Sequence, residues 1–238
     1  MTGRERRLLR MLCMTAGGGG GGDKPWEEMT WDDVIAATKN GKYKNFEIGA
    51  MKELDLGSEG IVHMQIVGID ADELADGSGY APLTFISKEL LATSHNMNST
   101  NTSAGGWEGS EMRAYLRETV KPLIPSNVAV QIKEVKKYSF RNDGAITDAE
   151  TTDDVWIPSR REVGVTSALE TSGPVYSVIF QDNASRIKVK AGETSASAWW
   201  SRSANIGNST YFHSVKATGA SSYNTASSSE AIALGFCL

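Results

Sequence analysis

The sequence predicts an α+β fold, and three observations carry that reading. Helical signals are short and come early, while short strand signals cluster late. No repeat period runs through the 238 residues, and strands do not alternate with helices as a doubly wound sheet requires. At the C-terminal end, Ile232, Leu234, Phe236 and Leu238 alternate with smaller residues, the period-two pattern of a strand with one buried face.

The elements follow in order. Residues 1–24 read as a basic leader on a poly-glycine tether: Arg4, Arg6, Arg7 and Arg10 are interleaved with Leu8, Leu9, Met11 and Leu12, and Gly17–Gly22 follow. The apolar run is too short, and interrupted by Arg10, to be a clear signal peptide. The folded body is expected over 25–238 as one domain. Thr30 is placed to cap a helix over Trp31–Lys39, with Asp32 and Asp33 in its first turn and Asn40-Gly41 stopping it. Gly60–Ile69 and Leu83–Ile86 read as strands. The acidic Asp70–Asp76 reads as a loop between them, and His95–Gly106 as a second loop, rich in Asn, Ser and Thr. Met112, Tyr115, Leu116 and Val120 share a helical face that ends before Pro122 and Pro125. Val128–Tyr138 alternates as a strand, and Asp143–Asp154 reads as an exposed acidic loop. Ser159 and Glu162 have the spacing of a capping box opening a helix. Val175–Phe180 and Ile187–Val189 read as strands paired across Asp182-Asn183. The adjacent Trp199 and Trp200 should point to opposite faces of a strand, one to the core.

Composition narrows the function. A hydrophobic content of 40%, a charged content of 22% and a net charge of −5 describe an ordinary globular chain. The acidic balance, with a pI near 5.3, argues against nucleic acid as a partner. No apolar stretch reaches the ~20 residues of a membrane span. Cys13 and Cys237 lie at opposite ends, and His63, His95 and His213 are scattered, so neither a disulfide framework nor a metal site is expected. Dinucleotide, phosphate-loop, zinc-protease and nucleophile-elbow motifs are missing. Asp70/Asp72 and Asp153-Asp154 can be set out as carboxylate pairs, and Asp70–Glu73 as a partial calcium loop, but solvated loop acids are the commoner case. No catalytic residue, cofactor or metal is therefore assigned. His213, beside Tyr211 and Phe212 with no nearby acid, reads as a surface side chain on a strand.

The tail from Trp199 onward differs from the rest. Paired tryptophans and the alternating end bracket a run of Ser, Asn, Thr, Ala and Gly. An ordered framework holding small polar side chains outward is how a binding surface is built. The polar run includes Asn205-Ile206-Gly207-Asn208-Ser209-Thr210 and Ser221-Ser222-Tyr223-Asn224-Thr225-Ala226-Ser227-Ser228-Ser229. Tyr, Ser, Asn and Gly are also the residues that antibody paratopes favour.

Three motifs carry a resemblance. They are Trp107-Glu108-Gly109-Ser110-Glu111-Met112-Arg113, Val155-Trp156-Ile157-Pro158-Ser159, and an ending that runs Trp200-Ser201-Arg202-Ser203, Phe212-His213-Ser214-Val215 with Gly219, then Ile232-Ala233-Leu234-Gly235-Phe236-Cys237. Over Trp31–Leu238 the chain resembles a domain of uncharacterised function frequent in bacteria and their prophages. The ending is similar to that of variable proteins of diversity-generating retroelements, which have a C-type-lectin-like fold related to formylglycine-generating enzymes. The resemblance implies short helices packed on twisted antiparallel strands, with the variable face formed by C-terminal strands and loops at about 199–238. In that family a reverse transcriptase copies a template repeat with errors at adenines, scattering Asn codons to Ser, Thr, Ile, Tyr, His and others. The tail positions Asn205, Ile206, Asn208, Thr210, Tyr211, His213, Ser222, Tyr223, Asn224, Thr225, Ser227 and Ser229 carry such residues. They make up the candidate face that the resemblance implies, with Trp200 and Arg202 supporting or edging it. Lys216 and Glu230 are not reachable from an AAC codon by adenine changes alone. Calcium-dependent lectin motifs and the active-site cysteine pair of the formylglycine enzymes are missing.

The expectation is a non-enzymatic receptor-binding protein of a prophage or bacteriophage. It would sit on a virion (tail tip) or bacterial cell surface and meet a protein or glycan target through its hypervariable region, with the leader attaching it to a tail or other virion protein. A structural virion or envelope protein, or a catalytic member of the same fold, is the alternative.

Overall fold

A computed structural model describes residues 24–142, 148–166 and 168–238. The leader and the glycine run through residue 23 lie outside the described residues, as does part of the acidic segment after Asn142. The architecture is mixed α+β, with mostly antiparallel sheets and short helices.

Helix α1 (Trp31–Asn40) forms as its sequence dictates. Thr30 Oγ1 accepts from the Asp33 amide while the Asp33 carboxylate accepts from the Thr30 amide, and Gly41 closes the helix at φ 80°. Strands β1 (Met51–Asp55), β2 (Ile61–Ile69) and β3 (Leu83–Ser87) form an antiparallel meander. β1 carries no strand signal, because Lys52, Glu53 and Asp55 surround a single buried side chain, Leu54. α1 lies on this sheet through Trp31, whose ring meets Phe85 edge-on at 5.4 Å and whose indole donates to the Glu53 carbonyl at 2.7 Å.

After the two-residue β4 (His95–Asn96) comes α2 (Glu111–Tyr115), capped by Ser110. It continues through a π-helical turn, Leu116–Val120, and a short 3₁₀ turn, Lys121–Leu123, before α3 (Ser126–Ala129). The strand expected over Val128–Tyr138 is therefore shorter: β5 spans Val135–Phe140, and Val130 is exposed. The exposed acidic loop expected before Asp154 is corrected as well. Its described part forms β6 (Asp148–Asp153), paired residue by residue with β5 and followed by β7 (Val155–Trp156).

Ser159 and Glu162 do exchange their capping hydrogen bonds, at 3.1 and 2.9 Å, but a turn follows and no helix. Nor do Val175–Phe180 and Ile187–Val189 pair. They are a turn and an irregular segment around the 3₁₀ turn Ala184–Arg186.

The C-terminal part supplies β8 (Trp199–Ala204), β9 (Tyr211–Val215), β10 (Ser221–Thr225), β11 (Ser229–Glu230) and β12 (Gly235–Cys237). β8, β9 and β10 make a three-stranded antiparallel sheet, and β11 pairs with β4. β12 enters the main sheet, which has the order β1-β2-β3-β12-β7. The terminal strand was expected to have one buried face; it has two, since every residue from Ala231 to Leu238 is buried. Phe236 packs on Phe85 at 5.6 Å, and Gly235 lies under the Trp156 ring.

Candidate ligand-binding face

The candidate face stands on a buried polar frame. Arg202 is almost fully buried and binds Glu162 through both terminal nitrogens, at 2.6 and 2.8 Å, while donating to the Ile157 and Tyr138 carbonyls. Glu162 also accepts from Lys137 Nζ at 3.0 Å. Lys137 in turn meets Asp72 at 2.6 Å and sits 3.4 Å from the centre of the Trp156 ring. Tyr176 and Thr84 complete the shell around Asp72. The two acids and two bases balance each other in charge, and of their buried polar atoms Arg202 Nε is left without a hydrogen-bond partner. Burial alone would raise the Glu162 carboxyl. Arg202 and Lys137 overcome that and hold it down at about 2. Burial likewise opposes the charge on Lys137, but Asp72 and Glu162 raise its pKa above the ordinary value.

A second clamp holds the adjoining helix. Asp153 accepts from the Trp107 indole at 3.0 Å and from Arg113 Nε at 2.6 Å, so one buried carboxylate gathers both ends of the Trp107–Arg113 motif. These contacts correct the reading of Asp72, Asp153 and Asp154 as solvated loop acids. All three are buried, and Asp154 is bound by Lys121 at 2.6 Å. Asp70 is partly exposed and accepts from the Tyr43 hydroxyl.

Trp200 and Arg202 belong to the frame and not to a ligand-contacting surface, because both are buried. The expectation that only one of the paired tryptophans faces the interior is corrected too. Trp199 donates to the Arg186 carbonyl and Trp200 to that of His95, one on each side of a strand covered on both faces.

The register of β9 and β10 decides what faces outward. Tyr211 lies opposite Thr225 and His213 opposite Tyr223, on one face of the hairpin. Phe212 opposite Asn224, and Ser214 opposite Ser222, occupy the other, with Trp200 beside Ser214. On the first face the Tyr211 and Tyr223 rings are 5.3 Å apart, and His213 meets Tyr223 edge-on at 6.5 Å. Tyr223 is 57% exposed. His213 is buried, correcting the surface assignment: Nδ1 lies 3.0 Å from the Ser222 carbonyl and Nε2 3.1 Å from Arg160 Nη1. Burial and the Arg160 charge depress its pKa to about 4. The neutral ring therefore carries its proton on Nδ1, donates it to Ser222 and accepts from Arg160 on Nε2.

The other expected residues divide. Ile206, Ser227 and Ser229 are exposed, and Asn205, Thr210, Ser222 and Thr225 are half-buried. Asn208 is engaged in its own turn, accepting from the Thr210 amide and hydroxyl. Asn224 is a structural residue: it donates to Glu230 and accepts from the Thr225 amide and the Ser228 hydroxyl.

The sequence reading missed that the loop after β4 completes this surface. The Ser103 amide donates to the Ser209 carbonyl at 2.6 Å and the Asn98 amide to that of Ala226 at 3.0 Å, so the loop lies edge to edge with the two C-terminal turns. The shared Ser/Asn/Thr composition of the two segments was the one available signal.

A concavity of about 1010 Å³ lies elsewhere, lined among others by Trp26, Met29, Phe46 and Met51 beside α1 and β1. Among the described residues no group of three or more His, Cys, Asp or Glu side chains could hold a metal ion, and no helix is long and apolar enough to cross a membrane.

Residues 83–238 match the family described as Domain of unknown function (DUF6273), and the chain belongs to that family. No curated protein sequence and no solved structure matches the chain.

Proposed function

We propose that this member of the DUF6273 family is a non-enzymatic ligand-binding protein whose C-terminal sheet face meets a target on a cell surface. One observation carries the reading. Tyr211, His213 and Tyr223 cluster on the outer side of a hairpin whose reverse side, through Phe212 and Trp200, is part of the core. A rigid backbone with an aromatic pair turned outward is a built contact surface, and aromatic anchors typically dominate such interfaces. Asp72, Asp153, Asp154 and Glu162 are each matched by a cation, which supports a structural role for these four acids.

The same reading gives the fold as C-type-lectin-like, which the antiparallel sheets and short helices support. It makes the face a retroelement-diversified one, displayed by a prophage or phage particle to which the leader attaches it. Support for diversification comes from the exposed positions Ile206, Tyr223, Ser227 and Ser229, none of which enters the core. The neighbouring DNA tests it: a near-copy of the tail's coding segment, differing where the copy has adenine and lying beside a reverse-transcriptase gene, is expected. Its absence removes diversification from the reading.

Binding is tested with the Tyr211→Ala/Tyr223→Ala variant on a panel of bacterial cells. Cell binding should fall at least about tenfold, a loss of about 1.4 kcal/mol or more, with the melting temperature lowered by no more than about 2–4 °C, the size of a 1 kcal/mol change in a domain of this length. Unchanged binding would overturn the assignment of the face. Dissolution of an oligomer would make the face a subunit contact.

A further inference from the structure

Charge is almost missing from the proposed face. Between Thr93 and Trp107 there is no Asp, Glu, Lys or Arg, and between Ser203 and Ser229 only Lys216, in a chain that is 22% charged overall. The fold places these two segments edge to edge through the Ser103–Ser209 and Asn98–Ala226 backbone hydrogen bonds. Lys216 stands apart from the aromatic pair, at the β9–β10 turn where its amide bonds the Ala220 carbonyl. The acids at the margins are occupied: Glu111 accepts from the Ser99 amide and hydroxyl, and Glu230 accepts from Asn224. His213 adds no charge near neutrality, its pKa being depressed to about 4, and the charge beside it, on Arg160 3.1 Å from its Nε2, is mostly buried and lies 3.9 Å from the Glu170 carboxylate.

What remains exposed is a sheet of hydroxyls and amides around one aromatic pair. Ser99, Thr100, Asn101, Ser227 and Ser229 are exposed. Each hydroxyl both donates and accepts, and each Asn amide offers two donors and an acceptor. Tyr223 offers an exposed ring whose tilt is fixed by Tyr211 and His213. A strongly charged partner fits this surface poorly, because charges brought against an uncharged face lose water without gaining a counter-charge. A neutral sugar fits: its vicinal hydroxyls need neighbouring donors and acceptors, and the apolar C–H face of its ring can lie on an aromatic ring.

We propose that this face binds neutral oligosaccharides, with Tyr223 as the stacking platform and the hydroxyl- and amide-bearing side chains of the two joined loops as hydrogen-bond partners. The inference rests on the reading of the face as ligand-binding and adds the ligand class.

The test applies the full chain to an array of neutral and acidic oligosaccharides, with the ionic strength raised from about 0.05 to about 0.5 M. Retention of neutral members is expected, changed less than about twofold by the salt, and lost more than about tenfold in Tyr223→Ala but not in Lys216→Ala. Retention only of acidic members, or none, overturns the proposal, as does binding that collapses with salt. The cell-binding assay separates the two readings. If the array is empty while cells bind wild type and not the Tyr211→Ala/Tyr223→Ala variant, the neutral-sugar assignment falls and the face stands. If that variant binds cells as wild type does, both fall.

Discussion

Glu162 is the residue on which most of the buried charge converges. It takes both terminal nitrogens of Arg202 and one contact from Lys137, so Glu162→Gln leaves two buried cations against Asp72 alone. Removing one partner of a buried pair typically costs about 3–5 kcal/mol, and denaturant unfolding should show a loss of that order. Two neighbours on β10 should behave oppositely. Tyr223→Ala should leave stability nearly unchanged, because its side chain is largely in solvent. Asn224→Ala removes hydrogen bonds to Glu230, Thr225 and Ser228 and should cost about 1–3 kcal/mol in the same measurement. His213 gives a signed pH dependence. Its folded pKa, about 4, lies below the ordinary 6.5, so between those values the unfolded chain binds the extra proton. Stability should therefore decline as pH falls from 6.5 toward 4 and level off below, by about 3 kcal/mol in all. His213→Gln should flatten that part of the profile; an unaltered slope would assign it to other groups.

At the scale of elements, the close approach of β12 to β7 is the most demanding packing in the sheet. A Cβ on Gly235 would lie 2.3–2.7 Å from carbons of the Trp156 ring, so Gly235→Ala must displace a buried indole that also carries Lys137 on its ring face. A loss of at least about 1–3 kcal/mol is expected by calorimetry, as for other overpacked cores. The elements readable from sequence are those set by local chemistry. α1 is written in Thr30, Asp33 and Gly41, all within reach of its own backbone, and β2 is written in the alternation of buried and open residues. The failures share another cause. β6 reads as a loop because Asp148, Glu150 and Asp153 are poor strand formers, yet Asp153 is held by Trp107 and Arg113, some forty residues earlier in the chain. Asp72 reads as solvated because its partner Lys137 is equally remote in sequence. The candidate face was legible in composition, and the outward set within it was not. Strand register decides which of Tyr223 and Asn224 faces solvent, and a shift of one residue would exchange them.

For the whole molecule, the order of the main sheet matters more than its size. β12 is laid between β3 and β7, elements that precede it by roughly 150 and 80 residues, and such distant pairing is characteristically slow to form. A ribosome-bound chain that has not yet exposed residues 235–237 lacks the strand that joins β3 to β7, whatever else has formed. Any insertion or deletion within 199–229 that shifts the reading frame would replace that strand with unrelated sequence. Such a product would lack the strand that bridges β3 and β7. Placing the closing strand downstream of the surface it supports thus makes folding itself a check on the reading frame of that surface.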